Sequence, residues 1–134
     1  MTRGRLITLE GGEGAGKSTL AASLCAALAA EGLAVVQTRE PGGSPLAEAL
    51  RGIVLQSWDE GMAPQTEALI ISAARAAHWR ATVAPALAAG QWVICDRFID
   101  STTAYQGSAG VPQGLLDALA QLATDGQRPD LTLL

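Results

Sequence analysis

Gly11-Gly12-Glu13-Gly14-Ala15-Gly16-Lys17-Ser18 carries the spacing G-x-x-x-x-G-K-[ST]. Each residue type in that spacing has a physical task. The glycines let backbone N–H groups turn inward around a phosphate, and the N-terminus of a following helix adds positive potential. Lys17 would reach the β and γ phosphates of a nucleoside triphosphate, and the Ser18 hydroxyl would ligate Mg²⁺. Lys17 is the only lysine in the chain, against eight arginines. A second stretch fits the same chemistry. Trp92-Val93-Ile94-Cys95-Asp96 is an apolar run closing on an acid, the form taken by an aspartate that holds Mg²⁺ or its water shell opposite a phosphate loop.

A phosphate loop does not name its acceptor. Arg39 and Arg97 each follow an apolar, strand-like run, which puts them on the sheet edge that carries the phosphate loop. Two guanidiniums there suit an anionic acceptor gripped bidentately. Arg75 lies on an apolar helical stretch, where spacing alone does not assign it. No general base stands beside a nucleophilic hydroxyl. An acceptor that is already a phosphate needs none, because its oxygen is anionic at neutral pH, and catalysis then rests on positioning and charge neutralisation.

These residues need a scaffold. Arg5–Glu10 reads as a buried strand running into the glycine loop. From Lys17 the chain turns helical, with Leu20, Leu24 and Leu28 on one stripe and Gly32 as the C-terminal cap. Residues 33–38 form a second strand, and Arg39-Glu40-Pro41-Gly42-Gly43 a shaped loop. Ser44 and Pro45 open a helix whose apolar stripe is Leu46, Leu50 and Ile53. A long helical stretch runs from Pro64 toward Gly90, kinked or split by Pro85. Residues 91–95 form a third strand, residues 101–106 a helical segment, Leu115, Leu116, Leu119 and Leu122 mark a further helix, and a fourth strand begins after Pro129. Apolar strands alternating with long crossovers predict an α/β fold with a parallel sheet and helices on both faces. The chain stops inside that fourth strand, so the domain is expected to be incomplete at its C-terminus.

Composition narrows the function. A length of 134 residues fits one domain, and 49% hydrophobic residues supply a core. Only 16% of residues are charged and the net charge is −4, which excludes a disordered charged tail and argues against nucleic-acid coating. Trp58, Trp79 and Trp92 are too scattered for a base-stacking platform. Cys25 and Cys95 lie among apolar residues without metal-ligand spacing and read as buried free thiols. His78, the only histidine, has no acid–base or metal partner in its sequence neighbourhood and reads as structural or surface. Neither a signal-peptide pattern nor a membrane-length apolar run is present, which points to the cytoplasm.

Several runs together resemble bacterial thymidylate kinases. They are Glu10–Ser18, Thr38–Gly43, Ala73-Ala74-Arg75, Asp96–Thr102, Ala104-Tyr105-Gln106-Gly107 and Arg128–Leu133. The resemblance spans the chain in the right order and implies a single kinase domain over residues 1–134, the N-terminal two-thirds of a P-loop NTPase-type fold. It implies transfer of the ATP γ-phosphate to dTMP, giving dTDP for dTTP synthesis, with Mg²⁺ as cofactor. Lys17, Arg97 and Glu13 would be the catalytic residues. Gly11, Gly12, Glu13, Gly14, Ala15, Gly16, Lys17, Ser18 and Thr19 would hold ATP, with Ser18 and Asp96 for the metal. Arg97 would hold the acceptor phosphate with Arg39 nearby, and Glu13 would lie near the 3′-hydroxyl. Arg75 would face thymine in a pocket shared with Pro41, Ile71, Ser101, Thr102 and Gln106, and Tyr105 would lie under the sugar and disfavour a ribose. The resemblance suggests that the apolar positions of residues 64–90 form a homodimer face, but packing against the sheet gives the same pattern; no nucleic-acid or membrane partner is expected.

The sequence departs from the family pattern in two places. Ile71 stands where family members often carry an aromatic that stacks on thymine, which weakens base binding by roughly 1 kcal/mol. The family's lid arginines, adenine-binding loop and last strand have no counterpart before Leu134. A chain ending there would be a poor kinase or a non-catalytic nucleotide-binding fragment. Another phosphate-loop small-molecule kinase or a nucleotide hydrolase is the remaining alternative. The acid at position 13 resembles the bacterial type, whose lid supplies the basic group.

Overall fold

The computed structural model describes residues 3–11, 16–99 and 106–134. At its centre β1 (Leu6–Leu9), β2 (Val35–Arg39), β3 (Trp92–Asp96) and β4 (Leu131–Leu133) form a parallel sheet in the order β2-β3-β1-β4. Helix α1 (Lys17–Ala30) links β1 to β2. Helices α2 (Pro45–Leu55) and α3 (Pro64–His78), a π-helical segment (Trp79–Val83) and α4 (Ala84–Ala88) link β2 to β3. Helix α5 (Gln113–Ala123) precedes β4.

Alternation along the strands builds two cores on opposite faces of the sheet. Leu6, Val93 and Cys95 pack with Trp79, Val83, Ala86 and Leu87 from the π-helical segment and α4. Their neighbours Ile7, Leu9 and Ile94 face the other way, onto Ala21, Leu24, Cys25 and Leu28 of α1. The expected parallel sheet with helices on both faces is present. At the sheet's amino edge, the Asp130 carboxylate accepts the Leu6 N–H at 2.7 Å and pairs with Arg3 and Arg5, fastening β4 beside β1.

Helix ends follow local chemistry. Ser44 caps α2 by accepting the Ala47 N–H at 3.3 Å, ahead of Pro45. Gly32 sits at φ 85 just past α1, and the Leu33 N–H reaches back to the Leu28 carbonyl, closing a Schellman turn.

Four expectations need correction. The second strand takes in Arg39 as its last residue rather than stopping at Thr38. Pro85 does not split the long helix. The turn before it widens instead, the Ala84 N–H bonding the Trp79 carbonyl five residues back. A widened turn accommodates the missing N–H and the bulk of the proline ring without ending the helix. The stripe of Leu46, Leu50 and Ile53 is not buried on folding. Leu46 is 62% and Ile53 39% exposed, and the buried residue of α2 is Ala47. Cys95 is buried, but Cys25 is only half-buried.

Candidate functional site

The carboxyl ends of three strands meet in one row, because the register pairs both Leu9 and Arg39 with Asp96. The ladder then continues one step into the loops. Arg97 N–H donates to the Leu9 carbonyl at 2.8 Å, Glu40 N–H to Asp96 at 2.9 Å, and Glu10 N–H to Leu133 at 2.8 Å. Each loop that carries a candidate side chain is therefore clamped by the neighbouring strand.

A cavity of about 970 Å³ opens on this edge. Gly16, Lys17, Ser18 and Thr19 form one side of it, and Arg39, Asp96 and Arg97 line it where the strands end. Pro41, Ile71, Arg75 and Gln106 complete the set of predicted residues that it gathers. Gly11 lies at the start of the phosphate loop, and its carbonyl accepts Lys17 Nζ at 3.0 Å. Gly12, Glu13, Gly14, Ala15, Ser101, Thr102 and Tyr105 lie outside the described residues.

Helix α1 starts at Gly16, φ 79, without a side-chain cap and without an acid in its first turn. Its first N–H groups and the dipole are thus directed at the cavity side where an anion would sit. Asp96 Oδ1 is buried and accepts no hydrogen bond among the described residues. An orphaned carboxylate oxygen in the cavity that Ser18 also lines fits a hard divalent cation, which takes oxygen ligands. Arg97 follows at φ 67, a left-handed conformation that costs a non-glycine residue about 1–3 kcal/mol. The strain turns the chain directly after Asp96 and sets the guanidinium on the cavity wall.

Beyond the strand ends, side chains of distant segments meet around Arg75. Glu40 and Arg75 form a buried ion pair, Nε to Oε1 at 2.7 Å, with side-chain exposures of 3% and 2%. Arg75 also donates through Nη2 to the Phe98 carbonyl at 3.0 Å and lies over the Phe98 ring, 5.3 Å from its centroid. His78 bridges Glu40 Oε2 at 2.8 Å and Thr38 Oγ1 at 2.7 Å. The expectation that His78 has no acid–base partner holds only for its sequence neighbours; in space it is fully buried between two. Glu40, His78 and Cys95 offer ligand atoms within 4.8 Å of one another. The Arg75 guanidinium already supplies the positive charge there. Burial pushes the Cys95 thiol well up, and it donates to the Arg97 carbonyl at 3.2 Å. The cluster is satisfied as a hydrogen-bonded ion pair.

Arg39 reaches the cavity while its Nη2 donates to Glu48 at 3.2 Å. The Gly43 N–H and the Arg39 guanidinium hold the Glu48 carboxyl below its ordinary range. Sequence reasoning missed six cavity residues, of which Val54 and Leu55 are apolar lining at the end of α2. Glu40 and Phe98 stand beside named candidates but carry no motif chemistry of their own. Arg51, whose Nη1 donates to the Pro41 carbonyl at 2.9 Å, was signalled only as a basic residue two turns into the helix after the loop. Glu67 accepts Gln106 Nε2 at 3.1 Å, and nothing in its surroundings marks it.

Comparison with known proteins agrees with this geometry. The family model for thymidylate kinase matches residues 9–134. A thymidylate kinase of Bradyrhizobium sp. strain BTAi1 is 51% identical over 98% of this chain, and that of Rhizorhabdus wittichii 53% identical over 98%. The crystal structure of thymidylate kinase from Ehrlichia chaffeensis superposes with a TM-score of 0.84 at 39% identity, covering 97% of this chain and 70% of that one. The chain spans 59% of the Bradyrhizobium protein and 64% of the Rhizorhabdus protein. The family match takes in nearly the whole chain, and the chain belongs to the thymidylate kinase family.

Proposed function

We propose that the protein transfers the γ-phosphoryl group of ATP to dTMP, giving dTDP and ADP. The observation that carries this reading is the single cavity in which Lys17, Ser18 and Asp96 share walls with Arg39, Arg97 and Arg75. A donor triphosphate seated on the loop and an acceptor phosphate held by arginines then face each other in one enclosure.

The chemistry follows from that placement. The bond between the γ-phosphorus and the oxygen bridging to the β-phosphate breaks, and an anionic oxygen of the dTMP phosphate forms the new bond. The transition state spreads charge over the transferred group, so the protein's contribution is alignment and positive charge. Lys17 covers the β and γ phosphates, and the N–H groups at the start of α1 cradle them. Arg97 grips the dTMP phosphate, with Arg39 beside it. Arg75, Pro41, Ile71 and Gln106 enclose the base. Ser18 and Asp96 are the residues that would hold Mg²⁺, which neutralises phosphate charge when bound. Glu13 near the 3′-hydroxyl, Ser101 and Thr102 at the base and Tyr105 under the sugar complete the proposed site.

The protein acts as a homodimer in this reading. Of the face expected over residues 64–90, Trp79, Val83, Ala86 and Leu87 pack against the sheet instead, and Leu69 is its exposed large apolar residue. Leu46 and Ile53 on α2, which packs with α3, extend that exposed surface. A second copy covering them would remove that surface from water.

An acceptor panel tests the function. With ATP and Mg²⁺ in the intact protein, dTMP is phosphorylated in preference to dUMP, dCMP and AMP. Preference for another acceptor, or nucleotide hydrolysis that no acceptor stimulates, contradicts the assignment.

A further inference from the structure

The only histidine sits at the centre of the acceptor side, and its geometry is too specific for packing alone. Arg75 and His78 are three residues apart on α3, so they project from one face of the helix. The Glu40 carboxylate is held between them, Oε1 on Arg75 Nε and Oε2 on His78 Nδ1. A carboxylate is an acceptor only, so each of these nitrogens donates. The far ring nitrogen meets Thr38 Oγ1. The loop is shaped to receive the ring: a Cβ on Gly43, φ 91, would run into His78 Cδ2 and Nε2. Thr82 from the π-helical segment then ties down the Gly43 carbonyl at 2.7 Å.

We propose that His78 is a positioning residue for the base wall, acting through Glu40 on the Arg75 guanidinium. The inference deepens the function proposed above and rests on it for the identity of the ligand. The guanidinium is anchored at both ends, by Glu40 Oε1 and by the Phe98 carbonyl. Only the first anchor depends on His78. Remove the Nδ1–H donor and Oε2 is buried without that partner; the carboxylate turns to find another, and Oε1 no longer fixes the guanidinium plane. The face that Arg75 presents to the cavity is lost without any change in the phosphate loop. His78 touches no substrate in this scheme.

Amide substitutions separate the two ring nitrogens. Asparagine places its N–H₂ near the Nδ1 position and keeps the donor to Glu40. Glutamine reaches toward Thr38 and gives that donor up. Calorimetry on the intact protein should find dTMP weakened about tenfold in His78→Gln, the loss of one charge-assisted hydrogen bond behind the wall. His78→Asn should stay within about twofold of wild type. ATP affinity should be unmoved in both. Thr38→Val, which removes only the outer partner, should also bind dTMP as wild type does. In NMR spectra the Arg75 Nε–H should exchange slowly in wild type and His78→Asn and faster in His78→Gln.

The proposal is overturned if the two amide variants weaken dTMP equally, or if dTMP and ATP weaken together. It is also overturned if Thr38→Val behaves like His78→Gln, or if the Arg75 Nε–H stays protected in His78→Gln. A wild-type protein that binds no dTMP, while the Arg75 signal responds as described, removes the dTMP reading and leaves the positioning role standing.

Discussion

The cavity wall proposed for the donor phosphates comes from one short stretch of chain, Gly16–Thr19, whereas the wall proposed for the base gathers Glu40, Ile71, Arg75, Phe98 and Gln106 from segments far apart in sequence. Among the described residues the first rests on the uncapped start of α1 and one lysine folded over Gly11. The second uses side chains locked in a buried ion pair with a histidine behind it. A backbone cradle takes any phosphate and needs no buried side-chain pair to do so. A side-chain wall selects a ligand, and it stands only while its buried partners stay paired. Breaking the phosphate side should therefore abolish turnover and leave folding intact. Breaking the base side should cost stability and acceptor recognition together.

The largest effect should come from Lys17. Lys17→Ala should lower phosphoryl transfer by about 10²–10³-fold, the scale for removing a preorganised charge from the transferred group. The melting temperature should stay near that of wild type, because Lys17 is not part of either core. Rates from a coupled ADP assay and a thermal melt check both halves.

Glu40→Gln should show the opposite balance. It leaves the buried Arg75 guanidinium facing a neutral partner, and breaking such a pair costs about 3–5 kcal/mol. Denaturant unfolding should report that loss. A variant as stable as wild type would contradict the buried pairing.

Ile71→Phe sharpens the contrast by restoring an aromatic on the base side alone. It should tighten dTMP by roughly 1 kcal/mol, about fivefold, with ATP unchanged. Titrations of both nucleotides read it directly.

The smallest effect lies away from both walls. Burial pushes the Asp130 carboxyl up, but the Leu6 N–H and the Arg3 and Arg5 guanidiniums outweigh it and hold the group below its ordinary value. A lowered folded-state pKa adds stability that is complete above the unfolded-state value and is lost as pH falls through the folded-state one. Asp130→Asn should flatten the acid limb of the stability profile by about 1 kcal/mol or less. Nucleotide affinities should be unmoved.

What the sequence disclosed follows the same division. The phosphate loop was legible because its chemistry lies within consecutive residues, and Asp96 because an apolar strand ends on it. The Ser44–Pro45 helix start and the Gly32 stop were legible because capping is local. The residues named for the base wall came through the family resemblance, and the cavity does gather Pro41, Ile71, Arg75 and Gln106; the buried pairing behind them was not legible. Glu40 meets Arg75 and His78 across 35 and 38 residues of chain, and no short-range pattern encodes such a meeting. The stripe on α2 was visible as a stripe, but a pattern does not say what packs on it. Ala47 is the residue that faces inward, and Leu46 and Ile53 look outward. Pro85 announced a disturbance in the long helix without announcing that a wider turn would absorb it.

In the proposed function one cavity holds two separable walls, one for the donor phosphates and one for the acceptor. Calorimetric titration of ATP and of dTMP into wild type, Lys17→Ala and Arg97→Ala tests it most directly. Lys17→Ala should lose ATP binding and keep dTMP, and Arg97→Ala should lose dTMP and keep ATP. Loss of both nucleotides in either variant, or of the same nucleotide in both, would contradict it.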